Sequence, residues 1–388
     1  MIAFNYYNPT EIIFGRGRHE EVGEQIRKRG GKKVLFHYGG GSIKRSGLYE
    51  QICRSLEEAG LSYVELGGVR PNPRVSLVRE GIRLCREENV DYVLAVGGGS
   101  VIDSAKAISA GMFYAGDVWD FYLRKAEAQR ALPIGVVLTI PAAGSETGGG
   151  SVITNEDGDF KRDYISNLLM PQFAILNPEL CRTVPQNQIS AGSADILAHV
   201  MERYFTNTPR TDFIDRLCEG AMRSVMLSAV RVKKAPNDCD AWSELMWGGT
   251  IAHCGLLGTG RVQDWASHNI EHELSAKYGI AHGTGLAIIF PAWMKYVYKV
   301  NPGRFVQFAV RVMDVDISFD SQEEIALEGI ARVENFFRSL DLPVRLHEAG
   351  IGTDDFDELA RKACDRGTFG GFMKIGYDDV ISILKLAQ

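Results

Sequence analysis

Two patterns of apolar and polar residues divide the chain into two parts. In the first part, short apolar runs such as Tyr92–Val96 alternate with segments such as Leu48–Ala59, in which apolar residues recur at helical spacing. Such alternation of strands and helices is typical of a parallel sheet covered by helices. In the second part the spacing is helical almost throughout. The patterns predict a Rossmann-like α/β domain over residues 1–184 and an all-α domain over residues 185–388.

The start of the chain departs from this alternation. Ala3–Tyr7 and Glu11–Phe14 are strand-like runs separated by Asn8, Pro9 and Thr10. Two such runs joined by a short turn predict a hairpin at the edge of the sheet. An edge strand leaves backbone N–H and C=O groups that a second chain can pair with, so we expect a homodimer built on this ribbon.

Composition and charge exclude several classes of partner. The 388 residues are 45% hydrophobic and 24% charged, with a formal net charge of −6. This balance gives no reason to expect nucleic acid or an anionic membrane as a partner. No apolar stretch approaches the ~20 residues of a membrane span, and the first residues lack the pattern of a secretion signal. Because the seven cysteines include no C-x-x-C pair, we expect a cytoplasmic protein with reduced thiols.

A glycine-rich turn after the most apolar strand is a candidate phosphate site. Gly98, Gly99 and Ser100 follow that strand and precede a helix predicted over Ser104–Gly111. Glycines let the backbone approach a diphosphate closely, and a helix N-terminus offers free N–H groups. Asp103 falls where a carboxylate can cap the helix, and it can also reach a cofactor amide or ribose. A ligand-free turn is the alternative, but the strand and helix context favours phosphate binding.

The turn after the first strand of the α/β pattern bears on the choice of cofactor. A pocket selective for NAD usually places an acidic side chain near the adenosine ribose 2′-OH. Here the turn carries Gly40, Gly41 and Ser42, with Lys44 and Arg45 close by. Small residues leave room for a 2′-phosphate, and the cations complement its charge. The turn therefore predicts a preference for NADP over NAD.

A third turn of small residues follows a later strand. The turn is Ile140–Glu146, and the hydroxyl groups of Thr139 and Ser145 can donate hydrogen bonds there. Such a turn could pass beneath the pyrophosphate or the nicotinamide ring of a cofactor. Taken alone, it is a weak motif.

Four residues of the helical part have the spacing of a single metal site. Asp195 and His199 stand four apart, so on a helix both side chains leave the same face. His268 lies on a second predicted helix, and His282 in a predicted loop. One carboxylate and three imidazoles suit a first-row divalent ion and leave positions open for a substrate oxygen. The spacing leaves open the alternative that each histidine is satisfied by a neighbouring group.

A further histidine stands next to this site. His272 lies one helical turn after His268 and would be near the ion without necessarily binding it. A neutral imidazole there could relay a proton to a substrate oxygen. The alternative is a histidine that only holds water near the ion.

Together these motifs resemble the iron-containing (group III) alcohol dehydrogenases. The likeness extends in the same order over nearly the whole chain. It is carried by the Gly97–Asp103 turn, the Pro141–Glu146 turn and the Asp and His positions of the metal site. Gln263–His268 and Tyr38–Ser42 are similar to the butanol dehydrogenase and broad-range NADPH-dependent aldehyde reductase branch. The resemblance implies a dehydroquinate synthase-like fold.

The resemblance also implies a role for each matching residue. The residues that would hold Fe²⁺ or Zn²⁺ are Asp195, His199, His268 and His282, with His272 as a neighbour that is not a ligand. The positions that match cofactor contacts are Gly40, Ser42, Asn72, Gly98, Gly99, Ser100, Asp103, Thr139, Ser145 and Lys161.

The expected activity is reversible reduction of aldehydes to primary alcohols such as butanol. Hydride would come from NADPH, with the metal as Lewis acid and a small molecule as substrate. One alternative is a polyol or sugar-phosphate dehydrogenase or lyase of the same superfamily, which would need converging basic residues. Candidate cations such as Arg203 and Arg261 are dispersed in the sequence. Another alternative is a non-catalytic NADP-sensing protein, against which the open coordination position argues.

Overall fold

The computed structural model describes residues 1–317 and 321–388, and the chain divides into two compact units. One unit comprises Tyr7–Val184 and Pro236–Met246. The other comprises Met1–Tyr6, Pro185–Ala235 and Trp247–Gln388. These units differ from the predicted domains 1–184 and 185–388 in two segments, at the N-terminus and after residue 235.

The first unit is built on a six-stranded parallel sheet. The strands of the chain are β1 (Glu11–Phe14), β2 (Lys33–Tyr38), β3 (Ser62–Leu66), β4 (Tyr92–Gly97), β5 (Ile134–Leu138), β6 (Gly150–Asn155), β7 (Phe160–Ile165) and β8 (Phe173–Leu176). The sheet order is β1-β8-β5-β4-β2-β3, with parallel pairing between all neighbours. β6 and β7 form a separate antiparallel hairpin.

Helices cover this sheet, because its apolar strands must be shielded from water on both faces. They are α1 (Val22–Lys28), α2 (Ser42–Arg45), α3 (Leu48–Glu58), α4 (Val75–Glu87), α5 (Gly99–Gly111) and α6 (Trp119–Tyr122), with 3₁₀ turns at Arg18–Glu21, Ser145–Thr147, Asn167–Leu169 and Pro178–Cys181. Val34 and Phe36, two apart on β2, share one core cluster with Ile52 and Leu56 of α3. Side chains two apart on a strand point to the same face. This face of the sheet is therefore covered by α3, together with Val22 and Ile26 of α1.

The predicted N-terminal hairpin is wrong. β1 pairs in parallel with β8, with Glu11 opposite Phe173, and within the described residues Ala3–Tyr7 forms no strand. Met1–Tyr6 instead form part of the helical unit, where the amino group of Met1 donates to Pro209 O at 2.8 Å. Because Met1–Tyr6 belong to the helical unit, they do not fold back to pair with β1.

The second unit is helical. Including one helix that begins before Trp247, the helices after residue 185 are α7 (Gln186–Tyr204), α8 (Asp212–Lys234), α9 (Cys239–His253), α10 (Ala266–Tyr278), α11 (His282–Val297), α12 (Pro302–Arg311), α13 (Gln322–Ser339), α14 (Phe356–Ala363) and α15 (Tyr377–Ala387), with 3₁₀ turns at Leu256–Gly258, Tyr298–Val300 and His347–Ala349. α7 is buried from Ile189 to Tyr204 and packs against α8 and α11. In the described part of the chain, no helix has both the length and the apolar character needed to span a membrane.

Two helix starts differ from the sequence prediction in ways that affect the site. α5 begins at Gly99, with Gly98 as its extended N-cap, and not at Ser104. Asp103 therefore lies past the first turn and does not cap this helix. His282 is the first residue of α11 and is not in a loop, so three helices supply the candidate metal ligands. Gly98 before the first of these starts and Gly283 after the second allow close packing that the periodicity alone does not reveal.

Candidate metal centre and cofactor-binding edge

Three of the four predicted ligands come together within the helical unit. Asp195 lies on α7, His268 on α10 and His282 at the start of α11. Their ligand atoms all lie within 4.8 Å of one another. Nε2 of His282 is 3.8 Å from Oδ1 of Asp195. The structure therefore gathers one carboxylate and two imidazoles at a single point.

The fourth predicted ligand, His199, stands beside this group. Its Nδ1 is hydrogen-bonded to Asp195 O at 2.8 Å and lies 3.0 Å from Asp195 Oδ1. Its ring centre is 4.6 Å from that of His268. The i, i+4 spacing on α7 thus does bring the Asp195 and His199 side chains to the same face.

His272 also lies close to the centre. Its ring centre is 5.6 Å from that of His282. With Glu271 and His282 it forms a second group whose ligand atoms lie within 4.8 Å of one another. His272 is half-buried, while His268 is buried. The predicted neighbour of the metal site is therefore next to one of its candidate ligands.

The donor atoms present fit a divalent metal ion. Nε2 of His268 is buried and has no hydrogen-bond partner among the described residues. Burial lowers the pKa of His268 well below its usual range, and the neighbouring His199 and His282 lower it further. A neutral imidazole with an unused nitrogen is the form that binds a metal. Together with Asp195, this nitrogen suits iron or zinc.

Two carboxylates at the centre were missed in the sequence. Glu202 accepts a hydrogen bond from Nδ1 of His268 at 2.8 Å, and Glu271 accepts one from Nδ1 of His282. Glu202 lies three residues after His199, and Glu271 three residues after His268. That i, i+3 spacing places them on the ligand face of α7 and α10 and is the signal that could have found them.

The indole of Trp265 lies against the candidate metal centre. Trp265 adopts φ +71°, a left-handed conformation that is uncommon for residues other than glycine. Its ring centre lies 5.0 Å from that of His268 and 5.7 Å from that of His199. The guanidinium of Arg203 lies 4.7 Å from the centre of the indole. The unusual backbone angle thus places a large apolar surface against two candidate ligands.

The predicted cofactor residues lie mainly at one edge of the sheet. β2, β4 and β5 are neighbours and parallel, so the turns that follow them meet at their carboxyl ends, where α/β proteins bind nucleotides. The turns, together with the first residues of α2 and α5 that follow them, contain Gly40, Ser42, Gly98, Gly99, Ser100 and Thr139. A Cβ on Gly98 would lie 2.3 Å from Cγ2 of Ile140. The turns after β4 and β5 therefore pack so closely that only glycine fits at this position.

Asp103 and Ser145 form a link between α5 and the turn after β5. Oδ1 of Asp103 accepts from the hydroxyl of Ser145 at 2.6 Å, and Oδ2 accepts from Val152 N at 3.0 Å. Burial raises the pKa of Asp103, opposed by the nearby charge of Lys106. Both predicted cofactor residues are thus also part of an internal hydrogen-bond network.

The remaining two predicted cofactor residues, Asn72 and Lys161, lie on segments that are linked through strand β6. Lys161 on β7 pairs with Thr154 on β6. Thr154 N in turn donates to Pro73 O at 2.8 Å, directly after Asn72. Asn72 is buried and has φ +55°. The β6–β7 hairpin, which the polar sequence of β7 did not reveal, is what brings them together.

A parallel α/β unit with glycine turns at its carboxyl edge, and a helical unit with a buried Asp/His centre, define a metal-dependent dehydrogenase that uses a dinucleotide. Family models match in the same two parts: iron-containing alcohol dehydrogenase over residues 9–178, and the C-terminal part of the Fe-containing alcohol dehydrogenase family over residues 189–388. The chain belongs to the iron-containing alcohol dehydrogenase family, as predicted.

Individual relatives agree with this assignment. The chain is 48% identical to the probable NADH-dependent butanol dehydrogenase 1 of Bacillus subtilis, with 99% of each chain covered. It is 34% identical to the NADPH-dependent aldehyde reductase YqhD of Escherichia coli, over 95% of this chain and 94% of that protein. The crystal structure of NADH-dependent butanol dehydrogenase A from Thermotoga maritima is similar with a TM-score of 0.97 at 42% identity, covering 100% of this chain and 99% of that one.

These findings confirm the predicted fold class, enzyme class and branch. The chain is an NAD(P)-dependent alcohol dehydrogenase of the butanol dehydrogenase branch and interconverts alcohols and aldehydes. Its family implies a divalent metal and a nicotinamide cofactor, and its substrates are small molecules.

Proposed function

We propose that the protein reduces aldehydes to primary alcohols such as butanol, and catalyses the reverse oxidation, with NADPH as the preferred hydride donor. The proposed ligands of Fe²⁺ or Zn²⁺ are Asp195, His199, His268 and His282. The observation that carries the proposal is the convergence of donor atoms from Asp195, His268 and His282 within 4.8 Å. A compact carboxylate and imidazole set suits one divalent ion with a position left for substrate.

The reaction needs one hydride and one proton. When bound, the divalent ion supplies Lewis acidity toward the carbonyl oxygen, and NADPH supplies the hydride. The carbonyl carbon gains the hydride and the oxygen gains the proton, so aldehyde, NADPH and H⁺ give alcohol and NADP⁺. His272, half-buried beside His282, is the proposed proton carrier, because a neutral imidazole can receive a proton at one nitrogen and release one from the other.

Metal analysis combined with turnover tests the proposal. Purified protein is expected to contain one divalent ion per chain and to oxidise NADPH with a graded series of aldehydes that includes butanal. Removal of the ion by a chelator should abolish turnover, and its return should restore it. Unchanged turnover in the metal-free protein contradicts the proposed mechanism. Absence of turnover with every aldehyde and alcohol would instead favour the cofactor-sensing alternative.

The proposed NADP preference rests on the turn after β2. Among the described residues, nothing lies within 4 Å of a Cβ built on Gly40, so the turn has open space there. Nη1 of Arg45 lies 2.9 Å from a Cβ built on Gly41. Nζ of Lys44 lies 4.6 Å from the ring centre of Tyr49. Arg45 therefore offers a cation beside the open turn, where it would complement a 2′-phosphate, while Lys44 packs over an aromatic ring.

The relatives do not support this preference, since those at 48% and 42% identity are named as NADH-dependent. The ratio of kcat/KM values for NADPH and NADH measures the preference directly. Gly40→Asp should shift the ratio toward NADH by at least about tenfold, because a carboxylate repels the phosphate and accepts from the ribose hydroxyls. Gly40→Ala is the control for size alone. A wild-type preference for NADH overturns this part of the proposal and leaves the activity untouched.

We also propose a homodimer formed through the N-terminal segment. Its apolar side chains are exposed, with Phe4 at 51% and Tyr7 at 65%. β1 is an edge strand of the sheet, and such edges and apolar segments are suited to pairing with a second copy. Sedimentation analysis should give twice the chain mass. Phe4→Ser combined with Tyr7→Ser should shift the protein toward monomer, whereas Phe113→Ser, also at an exposed phenylalanine, should not.

The proposed location is the cytoplasm. Among the described residues the seven cysteines form no disulfide, which fits a reducing compartment. Fractionation of the producing cells, with the protein followed by antibody, should recover it with cytoplasmic markers.

Two candidate cations of the sugar-phosphate alternative, Arg203 and Arg261, are engaged in internal contacts of the helical unit. The side chain of Arg261 is fully buried and ion-paired with Asp215 at 2.7 Å. Arg203 donates to His199 O at 2.7 Å and lies against Trp265. Both cations are engaged in internal contacts and do not present a charged surface to a phosphate ester.

A further inference from the structure

We propose that Glu202 and Glu271 are positioning residues that fix the imidazoles of His268 and His282 so that each presents Nε2 to the metal. The proposal rests on the ligand set proposed above and adds to it. It assigns a function to two buried carboxylates on the ligand faces of α7 and α10.

Glu202 fixes both the backbone and the ring of one ligand. Its side chain is fully buried, and Oε1 accepts from His268 N at 3.1 Å and from His268 Nδ1 at 2.8 Å. Oε2 accepts from Trp265 N at 2.6 Å. Because the acceptor is a carboxylate, Nδ1 must carry the proton. The other ring nitrogen, Nε2, is the buried atom without a partner among the described residues.

Glu271 makes the equivalent contact to the other imidazole. Oε2 accepts from Nδ1 of His282, and Oε1 accepts from the hydroxyl of Ser275. Nε2 of His282 then faces Asp195, 3.8 Å from Oδ1. A Cβ on Gly285 would lie 2.5 Å from Oε1 of Glu271. The glycine one turn into α11 therefore makes room for this carboxylate.

Each pair has the geometry of a carboxylate–histidine–metal arrangement. The hydrogen bond fixes the tautomer and the ring orientation, and the carboxylate makes the opposite nitrogen a stronger base. With Asp195, the two glutamates also place three carboxylates around the site of one divalent cation. Loss of such a partner typically weakens metal binding by about 10–100-fold. We expect the same effect here.

The two glutamates differ in how they tolerate substitution. Both oxygens of Glu202 accept from N–H groups. In Glu202→Gln the amide NH₂ must therefore face a donor, and this unmatched pair should also lower the stability of the fold. Oε1 of Glu271 faces a hydroxyl, to which an amide can donate after the hydroxyl turns. Glu271→Gln therefore removes the charge while the hydrogen-bonded contacts can persist. Glu271→Gln tests the role of the carboxylate charge more directly than Glu202→Gln does.

The readout is metal retention. Wild type and Glu271→Gln, each loaded with Zn²⁺, are mixed with a chelator and a zinc indicator, and the rate of zinc release is followed. The variant should release zinc about 10–100-fold faster, with an unchanged melting temperature for the metal-free protein and an unchanged Kd for NADPH. Glu202→Gln should also release zinc faster.

Glu219→Gln is the matched control. Glu219 is a buried carboxylate of α8 that accepts from Tyr204, Gln307 and Arg311. Its loss should lower the melting temperature and leave the rate of zinc release close to wild type. Zinc release from Glu271→Gln at the wild-type rate overturns the proposal. Faster zinc release that is accompanied by a lower melting temperature of the metal-free protein also overturns the proposal, because the effect would then be structural.

The proposed ligand set fails in a different way. If wild type binds no zinc, or if His268→Ala retains it, the metal site itself is wrongly assigned. If His268→Ala loses zinc while Glu271→Gln retains it, the ligand set stands and only the role of the glutamate is lost.

Discussion

Lys106 donates hydrogen bonds to both oxygens of Ser145, at 2.7 Å to the carbonyl and 2.8 Å to the hydroxyl. The same ammonium group lies 2.7 Å from Gly148 O and 2.8 Å from Gly150 O, so its three N–H groups are shared among four acceptor oxygens. Its side chain is fully buried beneath the turn that follows β5, and burial lowers its pKa to about 8. One side chain of α5 therefore organises the backbone of a predicted cofactor-binding turn.

Lys106→Met should weaken cofactor binding. The variant leaves the carbonyls of Gly148 and Gly150 without their donor, at about 1 kcal/mol or more for each lost contact. We expect the Kd for NADPH to rise at least about tenfold and the melting temperature to fall. Ser109→Ala is the control, because Ser109 is buried on the same helix and donates to Leu132 O. An unchanged Kd in Lys106→Met contradicts a role for this lysine in shaping the turn.

Gly283→Ala should disrupt the start of α11. A Cβ at this position would lie 1.8 Å from Ala191 O, a backbone atom of α7 that cannot move aside. Overpacking of this kind typically costs about 1–3 kcal/mol, and it should displace His282 and lower metal content. The control is Gly220→Ala on α8, where nothing described lies within 4 Å. That change should raise stability by about 0.5–1 kcal/mol. Urea midpoints and zinc content measure both effects.

The stability of the α/β unit should fall in acid because of His37. Its Nδ1 donates to Leu66 O at 2.8 Å and its Nε2 accepts from the Ser104 hydroxyl at 2.9 Å. Burial lowers its pKa from 6.5 to about 4. Between these values the unfolded chain binds the proton and the folded chain does not, so stability declines as pH falls from 6.5 to 4, by about 3 kcal/mol in total. Above pH 6.5 both states are neutral and the effect vanishes.

The variant His37→Asn isolates this effect. Its amide can still donate to Leu66 O but does not titrate, so the difference in urea midpoint between pH 7 and pH 4.5 should shrink relative to wild type. His347→Asn, at an exposed histidine, should keep the wild-type difference. Equal acid sensitivity in wild type and His37→Asn would assign the decline to other groups.

His268→Ala should separate metal binding from cofactor binding. The change removes the buried Nε2 that has no other partner among the described residues, so zinc or iron content and aldehyde reduction should both fall by at least about 100-fold. The Kd for NADPH should stay within about twofold, because the predicted cofactor residues belong to the other unit. Metal content is measured by atomic emission and cofactor binding by fluorescence. Full metal content in the variant contradicts the assignment of His268 as a ligand.

The elements that the sequence predicts well are those set by local pattern. The apolar run of β4 and the amphipathic repeat of α3 lie where expected, because burial and periodicity act within a short stretch. The i, i+4 pair Asp195 and His199 was found for the same reason. β1 shows what local pattern does not predict. Its composition indicates a strand, but its partner is β8, which begins at Phe173, far along the chain.

The candidate site shows the same limit at the level of single residues. In the sequence, Glu202 is an ordinary polar residue of a helix. Its contact with His268 joins α7 to α10, so apart from the i, i+3 spacing nothing in the neighbouring sequence predicts it. The left-handed conformation of Trp265 is imposed by its surroundings, since its side chain does not favour it. The polar strand β7 lacks the apolar run that predicts a buried strand. Contacts between distant segments were therefore the part that sequence reasoning did not reach.

The parallel pairing of β1 with β8 also constrains how the protein is made. Synthesis begins at the N-terminus, so Glu11–Phe14 emerges from the ribosome long before Phe173–Leu176 exists. β8 also separates β1 from β5 in the sheet. A nascent chain that ends before residue 173 can therefore assemble the β5-β4-β2-β3 part of the sheet but has no place for β1. β1 can therefore form its native pairing only after β8 has been translated.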